Sequence, residues 1–185
     1  MMVLCISTIS FAQKVTVGIK GGLNVATLST KNIAWESKLG YHAGFQVHIH
    51  ASRSLALQPE FVYSNQGAKY TGLLGQEHSL HVNYLNVPVL VQYMTGGGLR
   101  LETGPQIGFL TSVNDQVDGN TVSGYNKNTF KKTDVSWAFG LGYVTSAGIG
   151  FDARYNLGIT DISNNTGLAK TTNNVGQIGL FFELR

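Results

Sequence analysis

The sequence predicts an all-β fold, an eight-stranded antiparallel up-and-down transmembrane β-barrel with short periplasmic turns and longer outer loops. The first observation is a period-two alternation of apolar and polar residues, most regular over residues 134–161, which is typical of strands with two different faces. The second is that the polar face is rich in glycine, which suits a crowded interior better than a solvated surface. The third is an alternation of long and short connections, which is the pattern of outer-membrane barrels.

Residues 1–12 are predicted to be a secretory signal peptide. The segment is apolar and ends with the small residues Ser10 and Ala12 around Phe11, so cleavage is expected before Gln13. The alternative is a buried N-terminal strand or helix. Residues 13–185 then form one barrel domain. Because the single cysteine, Cys5, lies in the signal, the mature chain is expected to contain no thiol and no disulfide.

The first four strands are expected at 14–25, 40–50, 55–64 and 85–93. Polar connections are predicted near 27–37 and 70–77, and a short turn at 51–54. The fourth strand begins irregularly, because Leu80, Val82 and Tyr84 are out of phase with Leu85. This irregularity predicts a β-bulge near Tyr84 or an exposed upper hairpin.

The last four strands are expected at 99–109, 135–143, 149–159 and about 174–184. Polar segments at 112–133 and 161–173 separate them at one end, and tight turns at the other. Each strand is long enough to cross a bilayer at a tilt, and pairing of the eighth with the first leaves no backbone edge in lipid. Three prolines interrupt predicted strands, where a missing N–H predicts local bulges or register shifts: Pro59, Pro88 and Pro105.

Charged residues on the polar faces are predicted to form an ion-pair network inside the barrel. An eight-stranded interior is just wide enough for side chains to fill it, and charges buried there must be paired and hydrogen-bonded. A proton or ion relay is the alternative use of the same side chains. The network predicted to close the lumen to solutes consists of Lys20, Glu60, Arg100, Glu102, Asp152, Arg154 and Glu183.

Neither a metal site nor a cofactor site is predicted. His42, His48 and His50 share one face of the second strand, but a zinc site needs three or four ligands and no cysteine accompanies them. Hydrogen bonding in the lumen is therefore the expected role of these histidines. The glycine-rich stretches are strand glycines and a turn, and none is a phosphate-binding loop.

Two further classes of protein remain open. Ser79 with His78 or His81 is the nucleophile-and-base set near an outer loop, and it would suit a lipid-modifying outer-membrane enzyme. A soluble ligand-carrying barrel would need the apolar face inside. The first class would replace the prediction of a protein that is not an enzyme, and the second would replace the assignment of the apolar face to lipid.

The net charge of +3 is not clustered, so no nucleic-acid partner is predicted. A basic run at 126–132 could meet anionic lipopolysaccharide, although such a run is usually a solvated loop. The charged residues assigned to the outer loops are Lys31, Lys38, Lys69, Lys127, Lys131, Lys132, Glu36, Glu77, Asp115, Asp118 and Asp134.

Four segments resemble the PorT-like outer-membrane β-barrel family of Gram-negative bacteria: 57–70 (LQPEFVYSNQGAKY), 83–93 (NYLNVPVLVQY), 104–110 (GPQIGFL) and 140–162 (GLGYVTSAGIGFDARYNLGITDI). The resemblance spans nearly the whole mature chain. It implies an eight-stranded barrel in the outer membrane and little about activity, although the best-known member is linked to protein secretion. Outer-membrane barrels usually end on an aromatic residue read by the assembly machinery, whereas here Phe182 lies inward of the end.

We therefore predict a non-enzymatic outer-membrane protein with a side-chain-filled lumen, acting as a structural or interaction component of the envelope. A secretion association is implied by the family resemblance alone. The predicted partners are outer-membrane lipid and lipopolysaccharide, the barrel-assembly machinery, and envelope proteins that contact the outer loops.

Overall fold

The computed structural model describes residues 14–31, 33–72, 75–122, 124–164 and 169–184. The predicted signal peptide, residues 1–12, lies outside the described residues. Across the described ranges, no helix is long and apolar enough to cross a membrane. The elements are β1 (Val15–Thr30), β2 (Glu36–His50), β3 (Leu55–Thr71), β4 (Glu77–Met94), β5 (Leu99–Val117), β6 (Asn120–Val122), a 3-10 helix (Lys127–Thr129), β7 (Thr133–Val144), β8 (Ile149–Gly158) and β9 (Thr171–Leu184).

Eight long strands form a closed ring of antiparallel pairs. Neighbours along the chain pair with one another, and the β4–β5 and β1–β9 pairs complete the circle. The short β6 pairs with the end of β5 across Asp118-Gly119, both of which have positive φ, as an Asp-Gly hairpin turn requires. The predicted eight-stranded up-and-down barrel is confirmed, and each strand of the ring has a partner on both sides.

The connections differ at the two ends of the barrel. The turns at 51–54, 95–98 and 145–148 are short, whereas the other end carries the connections 31–35, 72–76, 118–132 and 159–170. In two of the short turns Gly98 and Gly148 have φ of 91° and 85°, a conformation that residues with a Cβ rarely adopt. The pattern of outer-membrane barrels makes the short-turn end periplasmic and the other end outer.

Most strands extend further toward the outer end than the sequence predicts, and β1, β3, β4 and β5 extend furthest. β1 continues to Thr30, β3 to Thr71 and β5 to Val117, and β4 already begins at Glu77. The expected polar connections are therefore partly strand. Ladder pairing needs backbone groups alone, whereas the apolar alternation reveals a strand only where its outward face is apolar.

Side chains separate into an outward apolar belt and a buried interior. Ile19, Leu141 and Phe151 are half exposed on the outside, while Lys20 and Asp152, their sequence neighbours, are almost fully buried. The predicted assignment of the apolar face to the outside is therefore confirmed. Toward the outer end the belt stops near the following residues: Val25, Leu39, Tyr63, Leu85, Phe109 and Ile159.

The three prolines do not shift the register of their strands. Pro59 pairs with Val89 and Pro105 pairs with Trp137, each in the register of the surrounding pairs. The predicted shifts at the prolines are therefore wrong. A missing N–H removes one ladder bond, but a shift requires an extra residue in one strand, and none is inserted there.

A register shift does occur where β4 meets β5, between Asn83 and Tyr84, in the region where the sequence predicts a bulge. The extra residue is Thr111 of β5, because Asn83 pairs with Ser112 and Tyr84 pairs with Leu110. The phase change in the sequence has a different origin. Tyr84 is 1% exposed and points into the interior, whereas Leu85 is 38% exposed on the outward belt.

Candidate functional site: the barrel interior

Five of the predicted lumen residues form one hydrogen-bonded network in the middle of the barrel. Arg154 of β8 donates to both carboxylate oxygens of Glu60 at 2.9 Å, and its Nε donates to Glu102 Oε1 at 2.8 Å. Lys20 Nζ donates to Asp152 Oδ2 at 2.8 Å and lies 3.4 Å from Glu60. Since all five side chains are buried, every charge in the network is held by an opposite charge rather than by bulk water.

Glutamine and glycine residues support this network. Gln58 donates to Glu60 Oε1 at 2.7 Å, and Gln92 donates to Glu102 Oε2 at 2.8 Å. Gly140 makes room for Glu102, because a Cβ at that position would lie 2.6 Å from its Oε1 atom. At this position the glycine is therefore required by the space that the charged side chain occupies.

The remaining two predicted residues, Arg100 and Glu183, form a separate pair nearer the periplasmic end. The guanidinium bonds both carboxylate oxygens of Glu183, with Nη2 to Oε2 at 3.0 Å. Arg100 also lies over the ring of Phe181, with its Cζ 5.6 Å from the ring centroid. Phe181 was not assigned to the interior from the sequence; its place between outward-facing Leu180 and Phe182 is the signal that would have found it.

The two charged groups leave almost no free space between them. The cavity that separates them has a volume of about 10 Å³ and is lined by Lys20, Arg100, Gln46 and Gln92 among others. A space of that size holds about one water molecule. We call the seven charged residues the charged layer: Lys20, Glu60, Arg100, Glu102, Asp152, Arg154 and Glu183.

A neutral polar layer lies above the charged layer. Asn24 is its centre, since it donates to Ser64 Oγ at 2.9 Å, accepts from Gln177 Nε2 at 2.9 Å and contacts His42 Nδ1 at 2.8 Å. Asn156 donates to Gln177 Oε1 at 2.9 Å. His42 therefore makes a hydrogen bond in the lumen.

The outer end of the interior is apolar. Two members of this cluster come from outer connections, Phe130 after the 3-10 helix and Ile162 after β8, and the two connections are joined by a bond from Lys131 N to Ile162 O at 2.8 Å. Both connections were predicted to be polar segments, and the isolated apolar residues within them were the available signal. We call this cluster the apolar layer: Leu28, Ala68, Leu80, Val82, Tyr84, Phe130 and Ile162.

Three charged residues that the sequence assigns to outer loops are instead buried. Lys38 donates from Nζ to Asn65 Oδ1 at 2.9 Å. Asp134 accepts from Thr160 Oγ1 at 3.1 Å, and Asp115 accepts from the Tyr70 hydroxyl at 2.6 Å. The assignment of these residues to outer loops is wrong because the strands that carry them continue past the apolar belt.

The serine and histidines of the possible lipid-modifying site are divided between two faces of β4. Ser79 Oγ lies 3.4 Å from His81 Nε2, whereas His78 contacts buried Asp115, with its Nδ1 3.2 Å from Oδ1. The Nδ1 atom of His81 faces the amide nitrogen of Asn65 at 3.5 Å. Among the described residues, no carboxylate hydrogen-bonds His81 in the manner of a triad.

The histidines of β2 do not assemble a metal site. The rings of His48 and His50 are 4.5 Å apart, and His48 Nδ1 contacts Gln58 Oε1 at 3.1 Å. In the part of the chain that the structure describes, no group of three or more His, Cys, Asp or Glu side chains could hold a metal ion.

Comparisons with known proteins place this geometry in a family. The sequence matches the family described as outer membrane protein beta-barrel domain over residues 11–164. A search of curated protein sequences found no match. Among solved structures, Neisserial surface protein A is similar with a TM-score of 0.57 and 12% identity, covering 92% of this chain and 99% of that one. The attachment invasion locus protein Ail of Yersinia pestis is similar with a TM-score of 0.53 and 11% identity, covering 91% and 98%.

Proposed function

The chain belongs to the outer membrane protein β-barrel domain family, and from this premise we propose that it is a non-enzymatic component of the envelope with a closed lumen. The protein is located in the bacterial outer membrane, with its apolar belt in contact with lipid. Its barrel anchors the outer connections and holds them in fixed positions. Its function then depends on interactions at the outer surface rather than on transport of solutes through the interior.

One observation carries the proposal of a closed lumen, which is that described side chains pack across the interior at two levels. The ion pairs of the charged layer leave a cavity of about 10 Å³, and the apolar layer lies across the outer end. An ion that entered would have to break buried pairs such as Arg154–Glu60, and each broken pair leaves a charge without a partner in a region of low dielectric. The relay alternative lacks a comparable supporting observation.

Electrical recording in planar bilayers tests the closed lumen. The purified full-length protein is expected to give no stable open-channel current, whereas a porin reconstituted in the same way conducts. Arg154→Ala and Glu102→Ala are expected to lower the stability of the barrel without creating a steady current. A steady, ion-selective current in the unmodified protein that changes in these variants would overturn the proposal.

A lipid-modifying enzyme is the second candidate, because Ser79 and His81 are in contact on the outward face of β4. Against it, no carboxylate among the described residues hydrogen-bonds His81 to orient the ring as a base. Ser79→Ala and His81→Ala are expected to leave the lipid A of the host membrane unchanged in mass spectra. A modification that is present with the unmodified protein and lost in both variants would establish the enzyme instead.

The proposed partners are components of a secretion complex, the barrel-assembly machinery and lipopolysaccharide. Resemblance to the PorT-like family supports a role in a secretion complex, and a barrel of this kind requires the assembly machinery to reach the membrane. The exposed Lys127 begins the 3-10 helix and the exposed Lys132 follows it, and both suit contact with anionic lipopolysaccharide. Cross-linking in intact envelopes followed by mass spectrometry would test each of these contacts. Recovery of the barrel without secretion components would rule out the role in a secretion complex.

A further inference from the structure

Three of the outer connections enclose a cleft at the outer mouth of the barrel. Trp35 comes from the β1–β2 connection, Tyr70 and Thr71 from the end of β3, and Tyr125 from the β5–β7 connection. The cleft has a volume of about 370 Å³, which lies in the range of small-molecule sites. We call it the outer aromatic cleft.

The three aromatic rings form an angled cage. Trp35 meets Tyr70 edge to face, with ring centroids 5.6 Å apart at 72°, and Tyr70 meets Tyr125 at 5.5 Å and 89°. The Trp35 and Tyr125 centroids are 6.1 Å apart. Each ring therefore supports the other two, so the walls of the cleft are fixed before any ligand arrives.

Two carboxylates lie near this cage. The first is that of Glu36, an exposed residue that lines the cleft. Lys69, across the strand pair, interacts with Glu36 by charge, but its ammonium donates its hydrogen bond to Glu77 at 2.6 Å. The exposed Glu36 carboxylate can therefore also face a ligand in the cleft.

A second carboxylate lies behind the rings. Asp115 is 1% exposed and accepts the Tyr70 hydroxyl at 2.6 Å and the Tyr125 backbone N–H at 3.4 Å. Burial raises the pKa of the Tyr125 hydroxyl, and the charge of Asp115 raises it further. Tyr125 therefore stays neutral, and its ring keeps the charge distribution that attracts cations to its face. The ring of His78 stacks on Tyr70 at 4.6 Å, which places the histidine on the Asp115 side of Tyr70.

We propose that the outer aromatic cleft binds a small organic cation with an alkylated ammonium group, of the choline class. The ring faces of tryptophan and tyrosine attract such cations, and Glu36 at the rim supplies the opposite charge. A strongly hydrated inorganic cation gains less from an apolar cage. The inference goes beyond the proposed function, because it concerns the outer surface and holds whether or not the lumen is closed.

A binding measurement on the full chain with choline as the probe tests this proposal. The barrel is prepared in maltoside detergent, since choline lipids and amine-oxide detergents would compete for the cleft. The chain has two tryptophans, so Trp137→Phe, on the outward belt, leaves Trp35 as the reporter of fluorescence. Choline is expected to change the Trp35 emission in a saturable manner.

The neutral carbon isostere of choline, 3,3-dimethylbutan-1-ol, separates charge from shape. A cation–π site should bind this alcohol at least about five-fold more weakly than choline. Glu36→Gln, an exposed change, should weaken choline binding while leaving binding of the alcohol unchanged. Trp35→Phe, read by calorimetry in the native background, should weaken binding of choline, with Trp137→Phe as the matched control.

Several outcomes would overturn the inference. Equal affinity for choline and the alcohol would show an apolar cleft without cation selectivity. Choline binding that survives both Glu36→Gln and Trp35→Phe would place the site elsewhere. Absence of saturable binding, in protein that keeps heat-modifiable gel mobility, would exclude the site altogether.

Discussion

The charged layer and the apolar layer occupy the same barrel, yet their composition is opposite. Around the charged layer the outward face is apolar, as at Leu141 and Phe151, and the interior holds ion pairs. Around the apolar layer the outward face is polar, as at Ser79 and His81, and the interior holds side chains such as Leu80. The difference shows that the solvent outside decides what the interior contains: lipid outside permits a polar core, and water outside requires an apolar one.

β4 crosses this boundary within a few residues. Leu80 is fully buried in the interior, and Leu85, five positions later, is 38% exposed on the belt. The strand does not change its alternation between them; the hydrophobic face moves from inside to outside. The change of phase therefore marks the outer edge of the lipid, and the two leucines provide a matched comparison.

The largest effect is expected from removal of Arg154 in the charged layer. Arg154→Ala leaves Glu102 without its charged partner and leaves Glu60 with Lys20 alone. A buried charge that loses its partner costs about 3–5 kcal/mol in the free energy of unfolding. Urea unfolding in lipid vesicles, followed by heat-modifiable gel mobility, measures this cost.

The control for Arg154 is an ion pair in water. Lys69→Ala removes the partner of Glu77 at a site where both side chains are largely exposed, so the expected loss is below about 1 kcal/mol. Equal losses in the two variants would mean that water reaches the charged layer, and the contrast between the layers would fail.

A second prediction concerns the apolar layer. Leu80→Ala removes a fully buried side chain that packs among Val82, Phe130 and Ile162, and should cost about 3 kcal/mol through lost burial and the cavity that remains. Leu85→Ala should cost less, because its side chain is partly exposed to lipid. If the two variants lose the same stability in the same vesicles, the outer end is not packed like a soluble core.

Strict alternation located the eight strands and the outward belt, because in lipid one face must be apolar and the other is free to be polar. The seven residues of the charged layer lie on the polar face of those strands, whereas the apolar layer lies above the belt. Above the belt this rule no longer holds, so Thr30, Thr71 and Val117 were not recognised as strand ends. The same failure assigned Lys38, Asp115 and Asp134 to loops.

Contacts between distant segments were beyond the reach of any local pattern. Phe130 and Ile162 enter the apolar layer because their two connections bond to one another. The outer aromatic cleft likewise depends on Trp35, Tyr70 and Tyr125, which lie far apart in the sequence. The spacing of residues along the chain carries no information about such long-range contacts. The register of the paired strands determines which distant residues lie next to one another.

A third prediction locates the boundary between the layers on the outward face. Leu141→Arg places a charge in the belt and should cost about 2–4 kcal/mol if the residue lies near the bilayer midplane. Ser79→Arg makes the corresponding change on the outward face above the belt and should alter stability by less than about 0.5 kcal/mol. Vesicle unfolding of both variants gives the comparison. A tolerated arginine at 141 would show that this face does not meet lipid.

The smallest effect is expected from Asp161, whose carboxylate holds the connection that carries Ile162 into the apolar layer. Its Oδ1 accepts backbone N–H bonds from Thr171 at 2.9 Å and Ser163 at 3.1 Å, and its Oδ2 accepts from Lys131 at 3.2 Å. These bonds lower the pKa of Asp161 below its usual value of 3.8, and the bond from the Thr171 N–H has the largest effect. A carboxylate whose pKa is lower in the folded state stabilises that state above the usual pKa, and the stabilisation is lost as the pH falls through the lowered value.

Hydrogen exchange at the Ile162 amide, which donates to Thr171 O at 2.9 Å, reports on this connection. Protection should be constant from pH 7 to about pH 5 and should fall at lower pH, after correction for the intrinsic exchange rate. Asp161→Asn should reduce protection at neutral pH and remove the acid dependence, because the amide cannot change its charge. Asp118→Asn, at an exposed turn, should leave the protection at neutral pH and its acid dependence unchanged. If acid-dependent protection persists in Asp161→Asn, a titratable group other than Asp161 holds the connection at Ile162. The pH dependence of the packing of the apolar layer would then have a different cause.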